Sequence, residues 1–399
     1  MFKATKGIVL PTTLTGSLPR PSWFVENLDG RAFSVAMADL RFREQYTDAV
    51  AALIADQLRA GLDILVDGDS RFDMDVAGRS WFAYVGERLE GLSPSEMRPQ
   101  HVASNRDKRP GDILFEVVET RLSPTVIGKI GRGKLEYDLL WKAAQRLAKK
   151  PIKFGGISAQ LFEGLLTNEF YADRRELVAD IATALNQEYH AVADAGCAVI
   201  QVEEPAIHET VGIIDDPIMT PEFYVEAFNR EVAGLRGKAE VWCHTCWGSP
   251  AAQRVEHERH SYRRSLPYFD QIDVDVITFE AADDDGADLA DIAAGISKDK
   301  KICIGVVSHR TLAVERPEQV AALIRKALKF IRAERLVLST DCGFGRQGMS
   351  RLHAFYKTVA IVRGANIVRR ELGLPEAEIP ATEPALALLK TADLRAHPA

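Results

Sequence analysis

The chain has 399 residues, 46% of them hydrophobic and 27% charged, with a formal net charge of −7. That composition suits a globular protein with a full core, and it offers no basic footprint for nucleic acid. No apolar run reaches the roughly 18 residues of a membrane span, and the opening MFKATKGIVLPTTLTGS is too weakly apolar for a secretory leader. A soluble, cytoplasmic protein is expected, with neither nucleic acid nor membrane as a partner.

Short β-branched runs bounded by turn residues recur along the chain, at residues 8–15, 64–67, 152–156, 199–202, 241–243, 276–279, 302–307 and 336–339. Helical periodicity fills most of the gaps, over 43–60, 137–150, 174–195, 221–234 and 317–333. Ala60-Gly61 and Ala195-Gly196 each close a helix and open a hydrophobic strand at once, which is the αβ joint of a barrel unit. The pattern predicts one (β/α)8 TIM barrel over residues 1–399, with an open doubly wound sheet as the rival arrangement. Residues 72–150 are too long for a loop and read as an insertion between the second and third strands, a hairpin plus helix able to cover the barrel mouth. Within it ILFEVVETRL and TVIGKIG alternate, with the bend expected at Ser123-Pro124. The Pro- and Ala-rich tail beyond Pro375 should wrap the surface.

Polar clusters sit where a barrel keeps its chemistry, at the C-terminal strand ends: Thr15-Gly16-Ser17, Asp67-Gly68-Asp69, Glu203-Glu204, His244 with Cys246, Glu280, His309, and Asp341-Cys342. The five cysteines, an odd number, argue against a disulfide framework. Cys197 and Cys303 lie in apolar runs and read as core, and Cys243 alternates away from Cys246 on an extended strand. His244, Cys246, Glu280 and Cys342 offer one nitrogen, two sulfurs and one oxygen, a donor set suited to tetrahedral Zn2+. Residues two apart on a strand share a face, so His244 and Cys246 can reach one ion.

Six segments in order carry a resemblance: LPTTLTGSLPRP, IQVEEPAIHE, WCHTCWG, DVDVITFEA, IGVVSHRTLAVE and AERLVLSTDCGFG. The chain resembles the C-terminal catalytic barrel of cobalamin-independent methionine synthase. The resemblance implies a zinc-dependent methyltransferase of methionine biosynthesis, with zinc on His244, Cys246, Glu280 and Cys342 and Glu280 yielding when substrate sulfur arrives. It implies that a homocysteine-like thiol sets its carboxylate against Thr15, Gly16 and Ser17 and its ammonium against Asp69 and Glu203. The family has Glu and Asp at those last two positions, the reverse of this chain. Glu209 matches a pterin contact, and His309 matches the proton-donor histidine at a shorter local spacing.

Two departures bear on the methyl donor. The family's N-terminal half has no counterpart here, and FGGISAQLFEG stands where the family has Thr-Gly-Pro and a folate-stacking Trp. The expected partners are thus a small-molecule thiol and an alkyl donor of open chemistry, with a homo-oligomer also open. Three other readings remain at this point. Transfer to coenzyme M would call on Arg71, Arg79, Arg310 or Arg346 for its sulfonate. A metal-free decarboxylase would not need the His-X-Cys set, and a zinc-stabilised binding barrel would need only the ligands.

Overall fold

The computed structural model describes residues 2–73, 82–101, 120–212, 216–247, 261–345 and 349–382. Seven parallel strands form one curled sheet: β1 (Leu65–Val66), β4 (Ile152–Ile157), β6 (Val199–Glu203), β7 (Glu240–Thr245), β8 (Val276–Phe279), β9 (Lys301–Val307) and β10 (Leu336–Thr340), neighbours in that order. The fold is the expected TIM barrel, and its eighth position is filled by the segment around Thr12. Thr13 N donates to Leu338 O at 2.9 Å and Leu338 N to Pro11 O at 2.9 Å, while Ile64 N donates to Thr12 O at 3.1 Å on the other side.

The strand expected over 8–15 shrinks to a single bridge, Thr12 with Leu338. Pro11 brings no N–H to a ladder, and Leu10 has φ 53°, outside the extended region. Side chains take over the pairing. One Asp63 carboxylate oxygen accepts from Thr12 N and Thr12 Oγ1, both at 2.9 Å, and from Arg369 Nη2 at 2.7 Å. A single acid therefore ties the first segment, the approach to β1 and the last helix together.

The outer helices follow from apolar stripes and capped ends. Leu40–Ala60 buries Phe42, Tyr46, Ala49, Leu53 and Gln57 on one face, with Asp39 as N-cap. Gly61 at φ 88° and Gly196 at φ 108° turn two helices into the next strands, as the helix–glycine–strand pattern predicts. The helix Arg351–Glu371 was not legible from periodicity, because its inward stripe contains Lys357, Asn366 and Arg369. Lys357 is matched by Glu315 at 2.9 Å, and Arg369 by Asp63.

The insertion differs from expectation in one respect. β3 (Thr120–Gly131) runs unbroken through Ser123-Pro124 and pairs antiparallel with β2 (Glu90–His101); the short β5 (Thr167–Asn168) lies parallel to β3. Residues 113–119 of the expected partner lie outside the described residues. Pro124 is tolerated because the ladder shifts register opposite it, between Ser93 and Arg98. Its ring packs on Gly86, where a Cβ would stand 2.5 Å from Pro124 Cγ. The helix expected over 137–150 is present as Tyr137–Gln145, and the tail from residue 383 lies outside the described residues. Among the described residues, no helix is long and apolar enough to cross a membrane.

Asp63→Ala should lower the unfolding free energy by about 2–4 kcal/mol, since it strands the Thr12 donors and the buried Arg369. Glu371→Ala, which breaks the exposed pair with Arg325, should cost much less, because solvent screens that pair. Urea denaturation of both variants checks the contrast, and equal losses would contradict the closure role of Asp63.

Candidate metal centre at the barrel mouth

Alternation along the strands sorts the barrel interior into layers. Ile64, Val199, Trp242, Val276, Cys303 and Val337 make an apolar plug. Farther along the same faces come polar side chains, and at the C-terminal ends the candidate ligands. Glu203 of β6 and His244 of β7 are register partners on adjacent parallel strands, so their side chains meet, and His244 Nδ1 is hydrogen-bonded to Glu203 Oε2. His244 Nε2 lies 3.0 Å from the Asp341 carbonyl oxygen.

Cys246, just past β7, and Cys342, just past β10, come from strands separated by two others in the ring, yet their sulfurs lie 3.7 Å apart. The donor atoms of His244, Cys246 and Cys342 all lie within 4.8 Å of one another. The expected fourth member, Glu280 at the end of β8, is buried but stands outside that cluster. Both of its oxygens lie 3.2 Å from Arg310 Nη2, and Oε1 is 3.6 Å from His309 Nε2. His309 is itself fully buried, in a second group of close donors with Asp283 and Asp341.

The electrostatics of the cluster follow from burial and from its charged neighbours. Burial opposes a charge on His244, but the charges of Glu203 and Cys246 outweigh it and raise the imidazole to about 9. The hydrogen bond with Cys342, then burial, push the Cys246 thiol well above its ordinary value. Two thiols, one buried and one partly buried, and a buried imidazole held this close gain from a cation, which favours thiolate and neutral imidazole instead. The distance fits one: two sulfurs about 2.3 Å from a tetrahedral zinc stand about 3.8 Å apart.

The other predicted residues line the same mouth. Gly16 at φ 67° lets the first segment approach Cys342's neighbour, since a Cβ there would lie 2.9 Å from Gly343 Cα. Thr15 spends its amide on Thr340 Oγ1 at 3.0 Å and shares its hydroxyl with Ser339 at 2.7 Å. Ser17 O accepts from Phe344 N and Gly345 N at 2.8 and 2.9 Å. Asp69 holds the left-handed φ of 52°, uncommon for a non-glycine, with its amide on Asp67 Oδ1 and its carboxylate on Arg71, 2.8 Å away. Burial, Asp67 and Glu203 outweigh Arg71 and raise Asp69 to about 7. Glu209 sits half-buried in the helix Ala206–Gly212 beyond β6, and Glu204 is fully buried, accepting from Ile207 N at 2.9 Å.

Of the arginines weighed for a sulfonate, Arg71 is committed to Asp69 and Arg310 to Glu280 and Asp283. Arg79 and Arg346 lie outside the described residues. In the segment FGGISAQLFEG both aromatics point into the core: Phe154 packs on Tyr137, and Phe162 is fully buried.

Three features of the mouth carry no strong motif. Lys153, buried on β4, donates to Gln201 Oε1 at 2.5 Å, and Gln201 Nε2 donates to Glu203 Oε1 at 2.8 Å, a chain that ends on His244. Asp341 accepts the amides of Ala281, Ala282 and Asp283 at 2.8–3.2 Å and so fixes the backbone beyond Glu280. Arg310 grips Glu280. Strand alternation alone could have flagged Lys153, which falls on an inward position; the other two depend on loop geometry.

Residues 10–362 match the family model described as the catalytic domain of cobalamin-independent synthase. A methionine synthase of Saccharolobus solfataricus is 30% identical over 371 residues, covering 91% of this chain and 96% of that protein. One from Sulfurisphaera tokodaii is 28% identical, covering 91% and 94%. Among solved structures, a B12-independent methionine synthase from Shewanella sp. W3-18-1, in complex with selenomethionine, superposes with a TM-score of 0.70 at 25% identity, covering 91% of this chain and 99% of that one. The chain belongs to the cobalamin-independent methionine synthase family.

Asp69 supplies a pH test. Its folded pKa, about 7, exceeds the ordinary aspartate value of about 3.9. Between those values the folded chain keeps a proton that the unfolded chain has lost, so this group makes stability fall as pH rises. The urea stability of the native sequence minus that of Asp69→Asn should decline from pH 5 to pH 7.5. Parallel curves would contradict the buried, protonated acid.

Proposed function

We propose that this chain, as a member of the cobalamin-independent methionine synthase family, transfers a methyl group to the sulfur of homocysteine, giving methionine. Zinc would be held by His244, Cys246 and Cys342, with Glu280 as an exchangeable fourth ligand. The observation that carries the reading is the sulfur pair: the buried Cys246 and the partly buried Cys342, 96 residues apart in sequence, at 3.7 Å, beside a buried histidine.

When bound, zinc supplies the positive field that lets an incoming thiol lose its proton near neutral pH and become a nucleophile without a general base. The chain's residues do the rest. Glu203 orients His244 through Nδ1, and a carboxylate hydrogen-bonded to an imidazole that would ligate also raises its basicity. Asp69 and Glu203, close enough for the charge of one to raise the other, offer two acids to the substrate ammonium. The exchange of Glu for Asp relative to the family keeps the charge and alters each reach by one methylene. With the Thr15 amide and hydroxyl engaged, the substrate carboxylate falls to the backbone at Gly16 and Ser17. His309, buried beside Glu280, is assigned the return of a proton to the departing donor, as the family resemblance implies.

The donor is an alkyl carrier whose recognition does not use an aromatic platform in residues 154–164. Purified protein should hold about one zinc per chain and form methionine from homocysteine with one of a panel of methyl donors: methyl-folates, methylcobalamin, or methylated sulfur and aryl compounds. Cys342→Ser should reduce product at least ~100-fold while leaving the unfolding free energy within ~1 kcal/mol of that of the native chain. Zinc-free protein that still forms methionine, or full activity in Cys342→Ser, would overturn the reading.

A further inference from the structure

An arginine out of reach of any substrate stands behind Asp69. The Arg71 side chain is 3% exposed against 12% for Asp69, so the acid and not the guanidinium meets the mouth. Arg71 Nη1 donates to Asp69 Oδ1 and Nη2 to the Gly155 carbonyl oxygen, both at 2.8 Å, which ties the loop after β1 to β4. A second acid oxygen, Asp67 Oδ2, lies 3.7 Å from Nη1. Rings enclose the guanidinium: its Cζ lies 4.6 Å from the centroid of Phe72 and 5.1 Å from that of Phe154, with Tyr84 and Tyr137 at 5.7 and 5.8 Å. A guanidinium caged in this way holds a carboxylate by direction as well as by charge. Asp69 needs that hold, because φ 52° is unfavourable for a non-glycine unless its surroundings impose it. Its amide rests on Asp67 Oδ1 and its carbonyl oxygen accepts from Phe72 N, each at 2.9 Å. With Oδ1 engaged by Arg71, Oδ2 is the oxygen left to a ligand.

We propose that Arg71 is a positioning residue for choice of the acceptor: it aims Asp69 Oδ2 at the ammonium of an amino-acid thiol without itself touching the substrate. This rests on the homocysteine reading above and deepens it. Charge gives the arrangement its selectivity. A guanidinium open to the mouth would attract a sulfonate or carboxylate, whereas one covered by Asp69 presents an acid and draws a cation. Glu203 offers a second acid, but both of its oxygens are already engaged, by His244 and by Gln201. Among the influences on Asp69, Arg71 is the largest that favours its anion, against burial and the charges of Asp67 and Glu203. Removing the guanidinium therefore deprives Asp69 of both direction and charge.

Two thiols that differ only in the amino group test this without reference to turnover: homocysteine and 4-sulfanylbutanoate, titrated calorimetrically into full-length protein supplied with zinc. The native chain should bind homocysteine at least ~10-fold more tightly. Arg71→Met should weaken homocysteine about tenfold and 4-sulfanylbutanoate less than about threefold, because a charge-assisted hydrogen bond is lost to one ligand alone. Arg71→Lys, which restores a cation beside Asp69, should recover much of the lost preference. In the Asp69→Asn background, Arg71→Met should change the preference by less than about threefold, since its route to the ligand is already gone. Should Arg71→Met fold poorly by circular dichroism, Arg71→Gln repeats the measurement with a neutral side chain able to hydrogen-bond the Gly155 carbonyl. Equal weakening of both thiols, or a preference that survives in the neutral variants, would overturn the proposal, as would an equal effect in the Asp69→Asn background. A native chain that binds both thiols alike would instead remove the ammonium reading on which it rests.

Discussion

Closure of the strand ring is the constraint on which the rest of the molecule depends. Cys246 and Cys342 lie past strands β7 and β10, and nothing local brings their sulfurs to 3.7 Å. They meet because the first segment is hydrogen-bonded to β10 on one side and to Ile64 on the other, and because Asp63 holds that segment where Pro11 denies it a regular ladder. The last helix joins the same clamp through Arg369. A barrel that failed to close would keep its strands and lose its site.

Under the mouth the barrel is polar, and that layer needs an energetic account. Burying an ammonium without a partner costs several kcal/mol, and burial lowers Lys153 to about 8. Its bond to Gln201, its position 4.7 Å over the Trp242 ring and the nearby charges of Glu203 and Asp69 offset that cost. The Gln201 amide has one orientation that serves both neighbours, accepting from Lys153 and donating to Glu203. Glu203 is thus held below the usual carboxylate range against the opposing effect of burial, by His244 first and then Gln201 and Lys153. Side chains from three adjacent strands fix the rotamer of one acid at the entrance to the cage.

Much of this was legible from residue order, for identifiable physical reasons. Strand alternation and the helix–glycine–strand joints at Gly61 and Gly196 exposed the barrel, and the spacing of His244 and Cys246 placed two ligand candidates on one face. The helix Arg351–Glu371 was hidden because buried ion pairs at Lys357 and Arg369 break its hydrophobic period. The β2–β3 pairing was misplaced because Pro124 reads as a turn residue, whereas a register shift in the ladder admits it. The grip of Arg310 on Glu280 had no sequence signal, since it joins loops beyond two different strands. Type and spacing thus nominated four ligands; only the fold separated three that converge from one that is held aside.

Zinc K-edge X-ray absorption on the metal-loaded chain, before and after homocysteine is added, tests the central claim most directly. The account predicts two sulfurs, one imidazole nitrogen and one carboxylate oxygen around the ion in the free protein, and a third sulfur at about 2.3 Å in place of the oxygen once the thiol is present. A shell with no cysteine sulfur, or one that homocysteine leaves unaltered, would contradict it.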